Sequence, residues 1–381
     1  MEQGVLSRDG SRVKDLQAIV ESLARPEVLG LTPYTAGRPI AEVERELGLT
    51  GAIKLASNEN PLGPSPRAVE AMREALAEVH RYPEGGCPFL REALALQLDV
   101  QPACLVFGNG SNELLELLAR AFLSSGDEAV MAEPTFLIYR KLCQAVGCGV
   151  RAVPLRDFVH DLEAMGRAVG PRTKLVFVSN PNNPTGTAVA PQAFEAFWDR
   201  ISPEVIVVID EAYREFLPPG LRPDPLAAIR AGRLVLTLRT FSKVYGLAGL
   251  RIGYGVGPAP LMAVLDRVRQ PFNVNVLAQV AARAALADEA HVKATVRTNE
   301  EGRRTLQEAF TTRGFPFIPS VANFVLVRVG EGRTVSDALL RQGVIVRSME
   351  AFGLPEWIRV SIGTSAENER FLKALSAVIA R

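Results

Sequence analysis

Leu234-Val235-Leu236-Thr237-Leu238, running on through Arg239 into Thr240-Phe241-Ser242-Lys243-Val244-Tyr245-Gly246-Leu247-Ala248-Gly249-Leu250-Arg251, is the stretch from which this chain is best read. The first five residues form a short apolar run of strand length. A Ser/Gly-rich loop comes next and holds one lysine, with an arginine further along. Lysine is scarce in this sequence: the others are Lys14, Lys54, Lys141, Lys174, Lys293 and Lys373, and arginine carries most of the positive charge. An amine can lose its proton and form a Schiff base, which a guanidinium cannot do. A lysine in such a loop is usually just solvated, so its meaning depends on the rest of the chain.

The strand-then-loop pattern recurs on both sides of this stretch. Leu105-Val106-Phe107 precedes a glycine turn and an apolar-periodic helix over Asn112 to Leu123. Glu128 to Met131, Lys174 to Val178, Val205 to Ile209 and Ile252 to Val256 read as further short strands. Continuous β-branched runs separated by helices point to an α/β fold with a mostly parallel sheet buried on both faces. Ligands gather outside the carboxyl ends of such strands. After about residue 285 the texture changes. A long helical stretch leads to strands at Phe324 to Val329, Val344 to Arg347 and Ile358 to Ile362, the mark of a smaller α+β domain. The expected division is an N-terminal arm with part of the small domain (1–55), a large domain (56–285) and a small C-terminal domain (286–381).

Bulk properties exclude several classes. With 381 residues and 48% apolar content the chain can build a sizeable core. Its formal net charge of +1 gives no field for nucleic acid or an anionic membrane surface. No apolar run approaches a membrane span, and Met1 to Arg12 lacks the apolar centre of a secretory signal. Cys87, Cys104, Cys143 and Cys148 have no paired metal spacing and fit the reduced thiols of a cytoplasmic protein. No metal is expected.

Three loops carry chemistry. Gly108-Asn109-Gly110-Ser111-Asn112-Glu113 lies between a strand and a helix, where Gly110 and the amides of Ser111 and Asn112 suit an anion. Ser111 or Asn112 could equally be a plain helix cap. Asn180-Pro181-Asn182-Asn183-Pro184-Thr185-Gly186 is a stiff polar turn able to hold a ligand oxygen. Asp210-Glu211-Ala212-Tyr213 follows the most apolar strand. A carboxylate at the inner end of a buried strand is costly unless it meets a cation. Asp210 is the expected buried partner and Glu211 is expected at the rim. A Schiff-base lysine (Lys243), an acid for a protonated ring nitrogen (Asp210), a phenol (Tyr213) and a phosphate cradle (Gly110, Ser111, Asn112, Thr240, Ser242, Arg251) together describe a pyridoxal phosphate site.

In this combination and order, NPNNPTG, DEAY and SK with GLAGLR make the chain resemble the fold-type I pyridoxal-phosphate aminotransferases, above all their histidinol-phosphate and aromatic branches. The likeness runs from Leu31-Thr32-Pro33-Tyr34 through Lys54 to Pro61 and Arg81 to Glu84, and ends at Val344 to Arg347 and Trp357 to Thr364. It implies a seven-stranded, mostly parallel sheet in the large domain and a homodimer with shared sites. It implies that Asn183 and Tyr213 bond the cofactor's ring oxygen and that Phe136 stacks on the ring. Tyr82 would reach the cofactor phosphate of the neighbouring subunit. Arg359 would clamp a substrate anion, with Arg347 and Tyr34 adding to phosphate binding and Asn183 also facing substrate. The resemblance gives no role to Asn58 or Asn60. The implied reaction is transamination of L-histidinol phosphate with 2-oxoglutarate to imidazole-acetol phosphate and L-glutamate. Three alternatives share the fold: an aromatic amino-acid aminotransferase, a threonine-phosphate decarboxylase, and a non-enzymatic effector domain of a transcription regulator.

Overall fold

A computed structural model describes residues 10–33 and 37–379, with side chains from residue 16 onward. Tyr34 lies outside the described residues. In chain order the strands are β1 (Ile53–Lys54), β2 (Leu105–Gly108), β3 (Glu128–Glu133), β4 (Gly149–Pro154), β5 (Thr173–Ser179), β6 (Ile206–Asp210), β7 (Val235–Thr240), β8 (Gly253–Val256), β9 (Phe317–Ile318), β10 (Phe324–Arg328), β11 (Val344–Ile345), β12 (Arg347–Ser348) and β13 (Trp357–Ser361).

Seven of them form one sheet in the order β2-β8-β7-β6-β5-β3-β4. Strand β8 runs antiparallel to both of its neighbours, and the other adjacent pairs are parallel. The sheet is buried on both faces, and the period of two is visible in its cores. Leu175, Phe177, Ile206, Val208, Leu236 and Leu238 pack into one layer. Val176, Val178, Val207, Ile209 and Val235 pack into the opposite one. This explains the unbroken apolar runs: every side chain meets a covered face. The six runs legible in the sequence are joined by β4, an edge strand paired only to β3 and mostly exposed. Its outer residues need not be apolar, so its sequence carries no strand signal.

The register sets the site. Ser179 is level with Asp210, and Asp210 with Leu238, so β5, β6 and β7 end together at one sheet edge. The loop from β7 returns into β8 at that same edge, immediately after Arg251.

The second layer of structure comes after the long helix Glu289–Thr312. Strands β9, β10, β12 and β13 form an antiparallel sheet in the order β12-β13-β10-β9. Val325, Val327, Ile358 and Val360 pack there against Phe310 and Phe371, joined by Leu55 from the N-terminal segment. The expected single strand over Val344 to Arg347 is two short ones: β11 pairs in parallel with β1, and β12 pairs with β13. The break at Val346 separates these two pairings, and residues 56–59 and Arg347 line the same cleft.

Candidate active site

A cleft of about 270 Å³ opens at the carboxyl edge of the large sheet. Ser111, Asn112, Phe136, Asn183, Asp210, Tyr213, Thr240, Ser242, Lys243, Arg251, Arg347 and Arg359 all line it. These residues come from separated segments of the sequence, and the topology gathers them.

One end of the cleft is built for an anion. The helix Ser111–Phe122 begins here with Gly110 as its N-cap and no side-chain cap. Neither Ser111 nor Asn112 serves as the plain cap that the sequence also allowed. The helix is held by Leu114, Leu115, Leu117 and Leu118, all buried. At roughly 1.5–3 kcal/mol each, these outweigh the approximately 1 kcal/mol a capping side chain would add. The open N-terminus therefore does not endanger the helix and leaves a favourable dipole facing the cleft. Gly110 has φ +79°, and a Cβ there would lie 2.4 Å from Arg251 Nη2. Only glycine leaves room for that guanidinium. Arg251 Nη1 donates to Ser242 Oγ at 3.4 Å and to Ala248 O at 2.9 Å. Thr240 Oγ1 donates to Ser242 Oγ at 2.9 Å and accepts from Ser242 N.

At the centre, Lys243 Nζ donates to Ser57 O at 3.0 Å and lies 5.8 Å from the centre of the Tyr213 ring. Burial, reinforced by the cations Arg359 and Arg251, lowers its pKa to about 8, while Glu59 and Asp210 oppose the shift. An amine held near neutrality can exchange a proton within the physiological range.

Asp210 is buried at the end of β6. Its Oδ2 accepts from Tyr139 Oη at 2.7 Å and its Oδ1 from Ala212 N at 3.1 Å. Burial raises its pKa, and the two donated bonds hold it down in part. Tyr139 was not legible as a site residue. It is fully buried, stacked on Phe177 at 4.7 Å and edge-on to Phe136 at 5.5 Å. Its own pKa is driven well above the ordinary phenol value, first by burial and then by Asp210, so it donates. Its helical context, Leu137-Ile138-Tyr139-Arg140, carries no sign of the contact.

Glu211 overturns the expectation of a rim carboxylate. Successive residues of a strand point to opposite faces, and here the opposite face is also covered. Glu211 is buried, accepts from Thr237 Oγ1 at 2.7 Å and from Arg239 Nε at 2.9 Å, and pairs with Arg214. Arg239 and Arg214 hold its pKa below the usual value against the effect of burial. This cluster ties the end of β6 to β7 behind the cleft.

In the Asn/Pro turn, the asparagines divide their work. Asn180 Oδ1 accepts from Val189 N at 2.9 Å, and Asn182 bonds Thr135, Pro134 and Thr185. Those two are internal struts, and Asn183 faces the cleft, where its Oδ1 accepts from Arg359 Nη1. Arg359 Nη2 donates to Ala56 O at 2.9 Å, and the guanidinium lies 5.1 Å from the centre of the Phe324 ring. Tyr82 does not line this cleft. It is 83% exposed and stacks on Phe272 at 4.7 Å.

Residues 50–375 match the family described as aminotransferase class I and II. The chain belongs to that family. It is 50% identical over 358 residues to a histidinol-phosphate aminotransferase from Moorella thermoacetica, with 93% of each chain covered. It is 48% identical to one from Akkermansia muciniphila, covering 94% of this chain and 99% of that one. Its fold matches the crystal structure of histidinol-phosphate aminotransferase from Sinorhizobium meliloti in complex with pyridoxal-5'-phosphate at a TM-score of 0.87 and 30% identity, covering 94% and 98% of the two chains. As an aminotransferase, the chain acts on small molecules. Among its described residues no helix is long and apolar enough to cross a membrane.

Proposed function

We propose that this aminotransferase uses pyridoxal 5'-phosphate to transfer the amino group of L-histidinol phosphate to 2-oxoglutarate, giving imidazole-acetol phosphate and L-glutamate in histidine biosynthesis. The observation that carries the substrate reading is the placement of Arg347 and Arg359 side by side in the cleft that holds Lys243. Two guanidinium forks suit a phosphate ester in one half-reaction and a dicarboxylate in the other. The naming of the relatives at 50% and 48% identity supports the same substrate.

The cleft fits the cofactor. The space a Cβ on Gly110 would fill, the open helix end at Ser111 and the Thr240–Ser242–Arg251 cluster would receive its phosphate. Asp210 would hold a protonated ring nitrogen, Asn183 and Tyr213 the ring oxygen, and Phe136 the ring face. When bound, the group supplies an electron sink for the carbanion left by loss of the α-proton. Lys243 supplies the amine that anchors the group and then carries the proton. With a pKa of about 8, about one amine in ten is uncharged at pH 7. Asp210, buried at the wall of the cleft, would face a ring cation with little solvent between them, which strengthens such a pairing.

The same reading includes a homodimer with shared sites, to which Tyr82 contributes across the interface, and a cytoplasmic location. It assigns residues 56–285 to the cofactor-binding domain, 286–381 to the small domain, and 1–55 to an arm that packs with it.

The test is a half-reaction. Cofactor-loaded protein is mixed with L-histidinol phosphate without any keto acid, and the visible absorbance is followed. Loss of the band, its return with 2-oxoglutarate, and no response in Lys243→Ala are expected. A band untouched by L-histidinol phosphate but bleached by phenylalanine would move the assignment to the aromatic enzymes.

A further inference from the structure

Three consecutive residues shortly after β1 each hold one functional side chain. Ala56 O accepts from Arg359, Ser57 O accepts from Lys243, and Asn58 Nδ2 donates to Tyr213 Oη at 2.9 Å. Asn58 is 1% exposed, and its φ of 55° places it in the left-handed region that asparagine tolerates better than most residues. No motif read in the sequence explained it.

The direction of its hydrogen bonds is informative. Asn58 N donates to Ser361 Oγ at 2.8 Å, and Ser361 Oγ donates to Asn58 Oδ1 at 3.0 Å. A backbone N–H can only donate, so the serine uses a lone pair there and has its hydrogen to give to Oδ1. That pins the amide with Oδ1 toward Ser361 and Nδ2 toward Tyr213. Asn323 Nδ2 donates to Asn58 O at 3.0 Å and fixes the backbone from a third side. A phenol has one hydrogen to give, and it does not go to a group that is already donating to it.

We infer that Asn58 is a positioning residue, which turns the Tyr213 hydroxyl hydrogen toward the cleft by donating to its oxygen, and that Ser361 locks the amide in the orientation this requires. Ser361 lies two residues beyond Arg359 on β13. One strand therefore carries both the anion clamp and the lock on the phenol. The inference rests on the proposed use of Tyr213 as a donor to the cofactor's ring oxygen.

The experiment is a double-mutant cycle on Asn58→Asp and Tyr213→Phe, with Ser361→Ala as an independent variant. Aspartate keeps the shape and the left-handed backbone but replaces the donor by an acceptor, so the phenol would turn its hydrogen toward residue 58. The first readout is the pH midpoint of the visible band of the cofactor-loaded protein. A hydrogen bond donated to a ring oxygen favours its deprotonated form, so withdrawing it raises the midpoint. Asn58→Asp and Tyr213→Phe are each expected to raise it by about one unit, and the double variant by no more than Tyr213→Phe alone. Ser361→Ala is expected to shift it part of the way in the same direction. An unshifted midpoint in Asn58→Asp, or a shift of equal size with and without the Tyr213 hydroxyl, would overturn the inference. The second readout is thermal unfolding of the unloaded proteins through the same cycle, where coupling between positions 58 and 213 is expected and strict additivity would overturn it. Absence of a visible band in the loaded wild-type protein would strike at the proposed function instead, and the unloaded cycle would then decide the inference alone.

Discussion

Arg347 and Arg359 stand directly opposite each other on the antiparallel strands β12 and β13. Like charges at such a position repel, at a cost of roughly 0.2–1 kcal/mol. Both side chains line the cleft, so an anion seated between them would relieve that cost. Inorganic phosphate is therefore expected to raise the unfolding temperature of the cofactor-loaded wild-type protein, in which the cradle at Ser111 and Arg251 is already filled, by an increment that grows with the logarithm of concentration above Kd. Arg347→Gln is expected to abolish most of this increment and to raise KM for L-histidinol phosphate by roughly 10- to 100-fold. Phosphate protection of the variant equal to that of wild type would remove Arg347 from the anion site.

Asp210 titrates with the opposite sign to a surface carboxylate. Burial raises its folded pKa above the unfolded one, so the folded state binds the proton more tightly. The resulting stability is present at low pH and is lost as pH rises through the folded value. In the unloaded protein Asp210→Asn is therefore expected to raise the unfolding temperature at about pH 8 and to lose this advantage below about pH 4. The same variant should lose most activity when loaded, because its ring-nitrogen partner would then face a neutral amide. Calorimetry across pH on unloaded protein checks the first part. A destabilised Asp210→Asn on the alkaline side would contradict it.

What the sequence disclosed depended on how far each residue's meaning travels along the chain. Lys243, Asn183 and Arg251 sit in loops, and Asp210 at a strand end, within stretches whose composition is unusual by itself, and the register of parallel strands carries them to one edge. Tyr139 meets Asp210 across 71 positions, and nothing in a helical Leu-Ile-Tyr-Arg announces that contact. Glu211 was misplaced because the rule that one face is exposed fails in a sheet covered on both sides. Asn58 bonds Tyr213, Asn323 and Ser361, the last 303 positions away, and none of these contacts is visible along the chain. The edge strand β4 escaped because its side chains are mostly exposed.

Lys243 should react at a pH that sets it apart. Its pKa of about 8, lowered first by burial, lies below the 10.5 of an ordinary lysine. A group with a depressed folded pKa stabilises the fold above the unfolded value, and that stability is lost as pH falls through the folded one. Unloaded Lys243→Met is thus expected to be more stable than wild type at about pH 7, with the difference shrinking toward the pKa of a free lysine. An amine reagent should label Lys243 with a midpoint near its pKa of about 8, as peptide mapping would reveal. Labelling of Lys243 with the midpoint of an ordinary lysine, 10.5, would show an unshifted amine.

Gly110→Ala tests the cradle. The added Cβ would fall 2.4 Å from Arg251 Nη2, at a φ of +79° that alanine resists. Arg251 can swing away, since its contact is the end of a flexible side chain, so the fold should survive with an unfolding temperature lower by a few degrees. Cofactor affinity is expected to fall roughly tenfold or more, because the guanidinium leaves Ser242 and a charge-assisted bond is lost. Equilibrium dialysis with pyridoxal 5'-phosphate measures this. Unchanged affinity would mean that the phosphate is held elsewhere.

Tyr82 tests the shared site. It stands 83% exposed and outside its own cleft, beside a groove of about 740 Å³ lined by Phe89, Val276 and Val280. Exposed Leu76, Val79 and Phe89 add to an apolar surface of the kind subunit contacts cover. If each site takes Lys243 from one subunit and Tyr82 from the other, Tyr82→Ala and Lys243→Ala impair their own homodimers. A mixed dimer would then hold one site with both defects and one with neither. Unfolding the two variants together and refolding them should return activity toward about one quarter of wild type, the share of intact sites under random pairing in a twofold dimer. Activity no greater than the sum of the separate variants would place Tyr82 outside the site.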